Sequence, residues 1–166
     1  MNEADTCRIY VEPKLREAGW ETPPRSVASQ AVIAPGKIIP HGKQAKRQDP
    51  QRPDYLLRYA PHLTLAIVEA KRDTLPAGAG LQQAKAYAEK LGLKFAYSTN
   101  GLRIVEFNFI TGRERELESF PTPDELWGWL HPGTDMALQQ GLLTPYYPLL
   151  RQSAGHIQPT PRHQGR

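Results

Sequence analysis

The chain has 166 residues, 39% of them hydrophobic and 23% charged, enough for one domain with a proper core. The net charge is +4 and the pI about 9.3. No apolar run approaches the ~20 residues of a membrane span, Met1-Asn2-Glu3-Ala4-Asp5 is not a secretory leader, and the single Cys7 excludes an internal disulfide. A cytoplasmic protein is the simplest expectation. The five histidines are scattered, and no pair has the spacing of a helical metal motif.

Residues 2 to 18 read as a helix, with Asn2 as its cap and Glu3 and Asp5 favourable in the first turn. Cys7, Val11, Leu15 and Ala18 recur at helical spacing. Pro13 removes one backbone bond, so a kink or a restart is expected there. Gly19 ends the segment and Trp20 follows as an anchor. Residues 21 to 27 read as a polar connection. Residues 29 to 34 read as a strand, Pro35-Gly36 as a turn, and Lys37-Ile38-Ile39 as extending the sheet. Residues 41 to 52 read as a polar, basic loop.

Tyr55 to Tyr59 reads as a short strand with Asp54 at its start. Leu63 to Glu69 is nearly continuous in apolar residues, the mark of a central strand covered on both faces. Gly78-Ala79-Gly80 opens a helix over residues 81 to 91, striped by Leu81, Ala84, Ala88 and Leu91 and ended by Gly92. Residues 94 to 99 form a strand. Asn100-Gly101 predicts a type I′ hairpin turn, with both central residues at positive φ. Residues 102 to 109 alternate as the return strand, and Thr111-Gly112 marks another turn. Thr122 caps a short helix with Pro123 at its first position.

Beyond Leu130 the pattern weakens. Residues 136 to 143 are read as a short helix. Tyr146-Tyr147 is read as a tail anchor or a base-stacking pair. Residues 151 to 166, basic and poor in apolar residues, are expected to be disordered. The expected architecture is α/β: a mixed central sheet flanked by helices, with a domain over 1–130 and a weakly structured extension over 131–166.

The chemistry gathers at the end of the central strand. Glu69 and Lys71 lie two apart and so share a face on a strand, and Asp54 on a neighbouring strand can reach it. Two carboxylates and an ammonium suit a hard divalent cation and an attacking water. Mg²⁺ prefers carboxylates, a carbonyl such as that of Ala70, and retained waters. Such an ion can hydrolyse a phosphodiester, with Lys71 orienting the water and neutralising developing charge. The plainer alternative is a surface ion pair between Glu69 and Lys71, worth at most ~1 kcal/mol. Gln83 and Tyr87, four apart, share a face of the following helix. Lys37, Lys43, Lys46, Arg47 and Arg52 make a basic stretch suited to a polyanion such as nucleic acid, or simply a solvated loop.

Pro53-Asp54, Glu69-Ala70-Lys71 and Gln83-x-x-x-Tyr87 resemble the PD-(D/E)xK nuclease superfamily in its RecB-like branch. Six blocks in order are similar to the N-terminal nuclease domain of type I restriction enzyme R (motor) subunits: Asn2-Glu3-Ala4-Asp5-Thr6, Ala18-Gly19-Trp20, Val68 to Lys71, Gln83 to Ala88, Thr99-Asn100-Gly101 and Phe120 to Trp127. The resemblance covers about residues 2 to 130 and implies a restriction-endonuclease-like core. It implies catalytic and metal roles for Asp54, Glu69 and Lys71, and positioning of DNA or catalytic groups by Gln83 and Tyr87. Glu3 matches an acidic position that can complete the metal site; Glu17 is a second candidate, and helix-dipole stabilisation a third explanation. The implied cofactor is Mg²⁺, which Mn²⁺ can replace. The implied partners are double-stranded DNA and methyltransferase and specificity subunits.

The chain has no Gly-x-x-x-x-Gly-Lys-Ser/Thr, so ATP would act only through motor domains outside it. Two alternatives stay open: a free-standing nuclease of repair or phage type, and a non-catalytic DNA-binding or assembly module on the same fold.

Overall fold

The computed structural model describes residues 2–33, 38–41, 44–47 and 50–133, the two short segments as backbone only. The chain divides into two compact units, Met1–Gly133 and Thr134–Arg166. The second lies outside the described residues, and with it the helix read over 136–143, Tyr146-Tyr147 and the basic tail.

The N-terminal helix is built in three pieces that run on without a break: α1 (Glu3–Thr6), a π-helical turn (Cys7–Val11) and α2 (Glu12–Glu17). Asn2 caps it by accepting the Asp5 N–H at 2.7 Å. The interruption expected from Pro13 takes the form of the wider turn just before it. The Glu12 N–H reaches back five residues to the Cys7 carbonyl, and Pro13 falls in the first turn of α2, where a missing N–H costs least. Trp20 is fully buried and donates its indole N–H to the Pro121 carbonyl at 2.9 Å.

Six strands form one sheet in the order β1-β4-β5-β6-β7-β8: β1 (Ser26–Ser29), β4 (Tyr55–Ala60), β5 (Leu63–Ala70), β6 (Phe95–Thr99), β7 (Ile104–Asn108) and β8 (Arg113–Leu117). Only β5 and β6 are parallel; α3 (Leu81–Leu91), entered through a 3₁₀ turn at Ala77–Gly80, crosses between them. Gly92, at φ +68°, ends α3 as expected. One face of the sheet packs Leu57, Tyr97 and Ile104 against Leu15 of α2 and Leu126 of α4 (Pro123–Leu130). The other packs Leu56, Ile67 and Ala96 against Ala84 and Ala88 of α3. Thr122 and Glu125 form a reciprocal capping box on α4.

Several expectations are corrected. The first strand is Ser26–Ser29, not residues 29 to 34. The ladder with β4 ends at Ser29↔Tyr55, and Gln30 follows at φ +50° with its N–H donating to the Asp54 carbonyl. Ala31 and Ile33, whose apolar character suggested a strand, pack instead against the α3-side core. Ile38–His41 (β2) does not extend the main sheet. It pairs with Gln44–Arg47 (β3), which lies in the stretch read as a loop, as a separate two-stranded ribbon.

The Asn100-Gly101 turn is not type I′. Only Gly101 has positive φ (+84°), while the Asn100 side chain accepts the Leu102 and Arg103 N–H groups at 3.1 and 3.0 Å. That side-chain closure delays the return strand to Ile104. A Cβ on Gly101 would lie 2.8 Å from Tyr10 Cβ and 2.9 Å from Thr6 Cγ2, so the glycine lets the turn press against the N-terminal helix. Lys14 seals the contact by donating to the Gly101 carbonyl at 2.7 Å. Finally, β8 was not anticipated: Arg-Glu-Arg-Glu carries no hydrophobic alternation, as suits an exposed edge strand.

Candidate active site

Strand alternation places Ile67, Glu69 and Lys71 on the α3 side of the sheet, with Leu56 of β4 and Asp54 just before it beside them. The end of β5 is held on both flanks. Asp54 Oδ2 accepts the Ala70 N–H at 2.8 Å, and the Lys71 N–H donates to the Thr99 carbonyl of β6 at 2.8 Å.

Glu69 is fully buried, yet its Oε1 has no hydrogen-bond partner among the described residues. Its other oxygen lies 3.8 Å from Lys71 Nζ. Burial, reinforced by the negative charge of Asp54 and only partly offset by Lys71, pushes the Glu69 carboxyl up to about 8. Lys71 is half-buried and donates to Gln83 Oε1 at 3.4 Å, and Gln83 Nε2 donates to the Tyr87 hydroxyl at 3.2 Å. The structure therefore brings Asp54, Glu69, Ala70, Lys71, Gln83 and Tyr87 into one connected group.

Gly80 sets how closely α3 approaches this group. A Cβ there would stand 3.0 Å from Ser98 Oγ, 3.1 Å from Glu69 Cβ and 3.1 Å from Lys71 Cε. Gly80→Ala is expected to cost about 1–3 kcal/mol by overpacking, read as a lower denaturant midpoint. An unchanged midpoint would mean that α3 yields without consequence.

Beyond Asp54 lies a cavity of about 430 Å³ lined by Glu3, Ala4, Cys7, Glu12, Ser29, Gln30, Asp54 and Tyr55. Glu3 is exposed at its rim; Glu17 is exposed and does not line it. Sequence reasoning missed three contributors. Glu12 accepts the Tyr55 hydroxyl at 3.2 Å, and Gln30 Nε2 donates to Asp54 Oδ1 at 2.8 Å. No local pattern marks any of them, because each contact joins distant parts of the chain. The Cys7 thiol is pushed up by burial, which makes it a poor nucleophile. Of the basic stretch, Lys37 and Lys43 lie outside the described residues, the side chains of Lys46 and Arg47 are likewise outside them, and Arg52 is exposed.

Among the described residues there is no cluster of three or more His, Cys, Asp or Glu placed to hold a metal. The donor set is thus a carboxylate pair with a neighbouring carbonyl. That fits Mg²⁺, which commonly takes one or two carboxylates and fills its remaining positions with water and substrate phosphate. The orphaned Glu69 oxygen is the observation that favours a cation. A buried carboxylate without a donor is costly unless a positive charge meets it.

A mixed sheet flanked by helices, with these charged groups at the end of its central strand, defines an α/β fold of the restriction-endonuclease type. No family model matches the chain. It is 34% identical over 134 residues to the type I restriction enzyme EcoAI endonuclease subunit of Escherichia coli, a match covering 76% of this chain. It also superposes with a TM-score of 0.80 and 48% identity, over 90% of its length, on a fragment described as an HsdR subunit of a type I restriction enzyme from Vibrio vulnificus YJ016. The chain is a homologue of the HsdR endonuclease subunits of type I restriction enzymes, consistent with their N-terminal nuclease region. It spans 16% of the length of the curated relative and 29% of the solved fragment. Among the described residues no helix is long and apolar enough to cross a membrane.

Proposed function

We propose that this chain supplies the nuclease site of a type I restriction endonuclease subunit, hydrolysing phosphodiester bonds of double-stranded DNA with Mg²⁺. The observation that carries the reading is the buried Glu69 carboxyl, one oxygen unpartnered, near the charges of Asp54 and Lys71. Asp54, Glu69 and the Ala70 carbonyl would hold the ion. When bound, the ion supplies an activated water and neutralises charge on the phosphate.

The chain's own residues do the rest. The Ala70 N–H fixes the Asp54 carboxylate. The sheet and α3 exclude solvent from Glu69, which strengthens every charge interaction it makes. The Lys71 ammonium, steered by Gln83, orients the attacking water and meets the charge developing on the phosphate oxygens. Tyr87 steadies Gln83. Lys37, Lys43, Lys46, Arg47 and Arg52 would contact backbone phosphates, giving salt-sensitive and largely sequence-independent affinity. In this reading the protein works in the cytoplasm with methyltransferase and specificity subunits, and ATP is consumed by a motor part of the subunit. Glu3 stays at the cavity rim and lies outside this donor set.

Calorimetric titration of the 166-residue chain with Mn²⁺ tests the reading. Wild type is expected to bind, and Asp54→Ala to bind at least about 10-fold more weakly. An isotherm that Asp54→Ala leaves unchanged would reject the site.

A further inference from the structure

Asp54 is held from two sides, and the second holder has no role in the site so far. Gln30 Nε2 donates to Asp54 Oδ1 at 2.8 Å while the Ala70 N–H donates to Oδ2 at 2.8 Å. The main chain repeats the connection: the Gln30 N–H donates to the Asp54 carbonyl at 3.0 Å. Both bonds from Gln30 depend on its backbone. Among the described residues it is the one non-glycine at positive φ, at +50°. Directly after the last ladder pair, Ser29↔Tyr55, this conformation sets Gln30 beside residue 54.

A left-handed residue is disfavoured for any side chain larger than hydrogen, and glycine would make the same turn without penalty. The turn and the main-chain bond need only an N–H. What glutamine adds is a neutral two-hydrogen donor at the Asp54 carboxylate. Neutrality matters, because lysine or arginine at that distance would pair with the carboxylate and compete with a cation for it. An amide orients Oδ1 through one lone pair and leaves its charge uncompensated. Partners that orient a metal-binding group in this way commonly govern affinity by 10–100-fold when removed.

We propose that Gln30 is a positioning residue for Asp54: it locks the carboxylate, together with the Ala70 N–H, in the orientation that receives the divalent cation. This rests on the metal-dependent reading above. Gln30 is exposed at the cavity that also holds Glu3 and Glu12, so it acts from the solvent side and Ala70 from the sheet side.

The test is Mn²⁺ titration of the 166-residue chain in wild-type, Asp54→Ala, Gln30→Gly and Gln30→Lys forms, each with a thermal melt. Gln30→Gly keeps the turn and the main-chain bond and deletes only the amide. Its melting temperature should match wild type or exceed it, while its Mn²⁺ affinity falls about 10-fold. Gln30→Lys should weaken Mn²⁺ at least as much, and the loss should shrink at high salt. A crystal structure of Gln30→Gly should show the Asp54 carboxyl rotated away from its bond to the Ala70 N–H. If Asp54→Ala abolishes binding while Gln30→Gly binds as wild type does, the positioning role is wrong and the metal site stands. If Asp54→Ala leaves Mn²⁺ binding unchanged, the metal reading fails and takes this proposal with it.

Discussion

Lys71→Ala is expected to lower DNA cleavage by about 10²–10³-fold or more, the scale on which removal of a single charge-stabilising donor acts. The fold should be nearly untouched. Lys71 is half-buried at the end of β5, and its contact with Glu69, at 3.8 Å, is long. The backbone N–H that secures the strand end to Thr99 survives the substitution. Cleavage is best measured in the complete restriction assembly, with a thermal melt of the isolated chain as the control for folding. A folded Lys71→Ala protein that nicks DNA as wild type does would remove the ammonium from the mechanism. Strong loss of activity with an unchanged melt separates chemistry from stability.

The second large effect concerns pH. Glu69 has its folded-state pKa raised from 4.5 to about 8, first by burial and then by Asp54. Between those values the folded chain keeps a proton that the unfolded chain has released. Stability from this group is therefore fully present below about pH 4.5 and drains away as pH climbs to about 8. At 1.36 kcal/mol per unit the loss is up to about 5 kcal/mol. Glu69→Gln, which stays neutral, should remove that slope and make the cation-free chain more stable than wild type at pH 8. Urea titrations of both proteins from pH 5 to pH 8 in a chelating buffer give the comparison. Parallel slopes would show that Glu69 is ionised at neutral pH despite its burial. The same burial that favours a proton in the absence of a cation makes the site receptive to one, since either positive charge answers the same deficit.

Much of the fold was legible because several elements carry their signals locally. The apolar run of β5 identified the central strand, and Gly92 fixed the end of α3 to the residue. Thr122 and Pro123 marked the start of α4. The spacing of Glu69 and Lys71, and of Gln83 and Tyr87, survives intact because strand and helix periodicity alone bring each pair onto one face. What escaped was set by distant neighbours. Asn100-Gly101 has a hairpin signature, but the packing of Gly101 on Tyr10 and the Asn100 side-chain bonds chose another turn. Ala31 and Ile33 look like strand residues but lie outside the strands, partly buried against the α3-side core. Gln30, a residue type with no turn signal, adopts the left-handed conformation and bonds Asp54, a contact made across 24 residues of chain.

The charged edge of the sheet has a consequence for how the molecule opens. A strand as exposed as β8 would ordinarily fray early and lose amide protection first. Here Arg115 is bonded to Glu106, a fully buried carboxylate on β7 that also accepts the Tyr97 hydroxyl at 2.8 Å. Peeling β8 away would take the cation from that carboxylate, which opposes fraying. The outermost strand is thereby tied to the interior of the sheet. Its amides should exchange with solvent together with those of β7, as one cooperative unit, and not as a loose fringe.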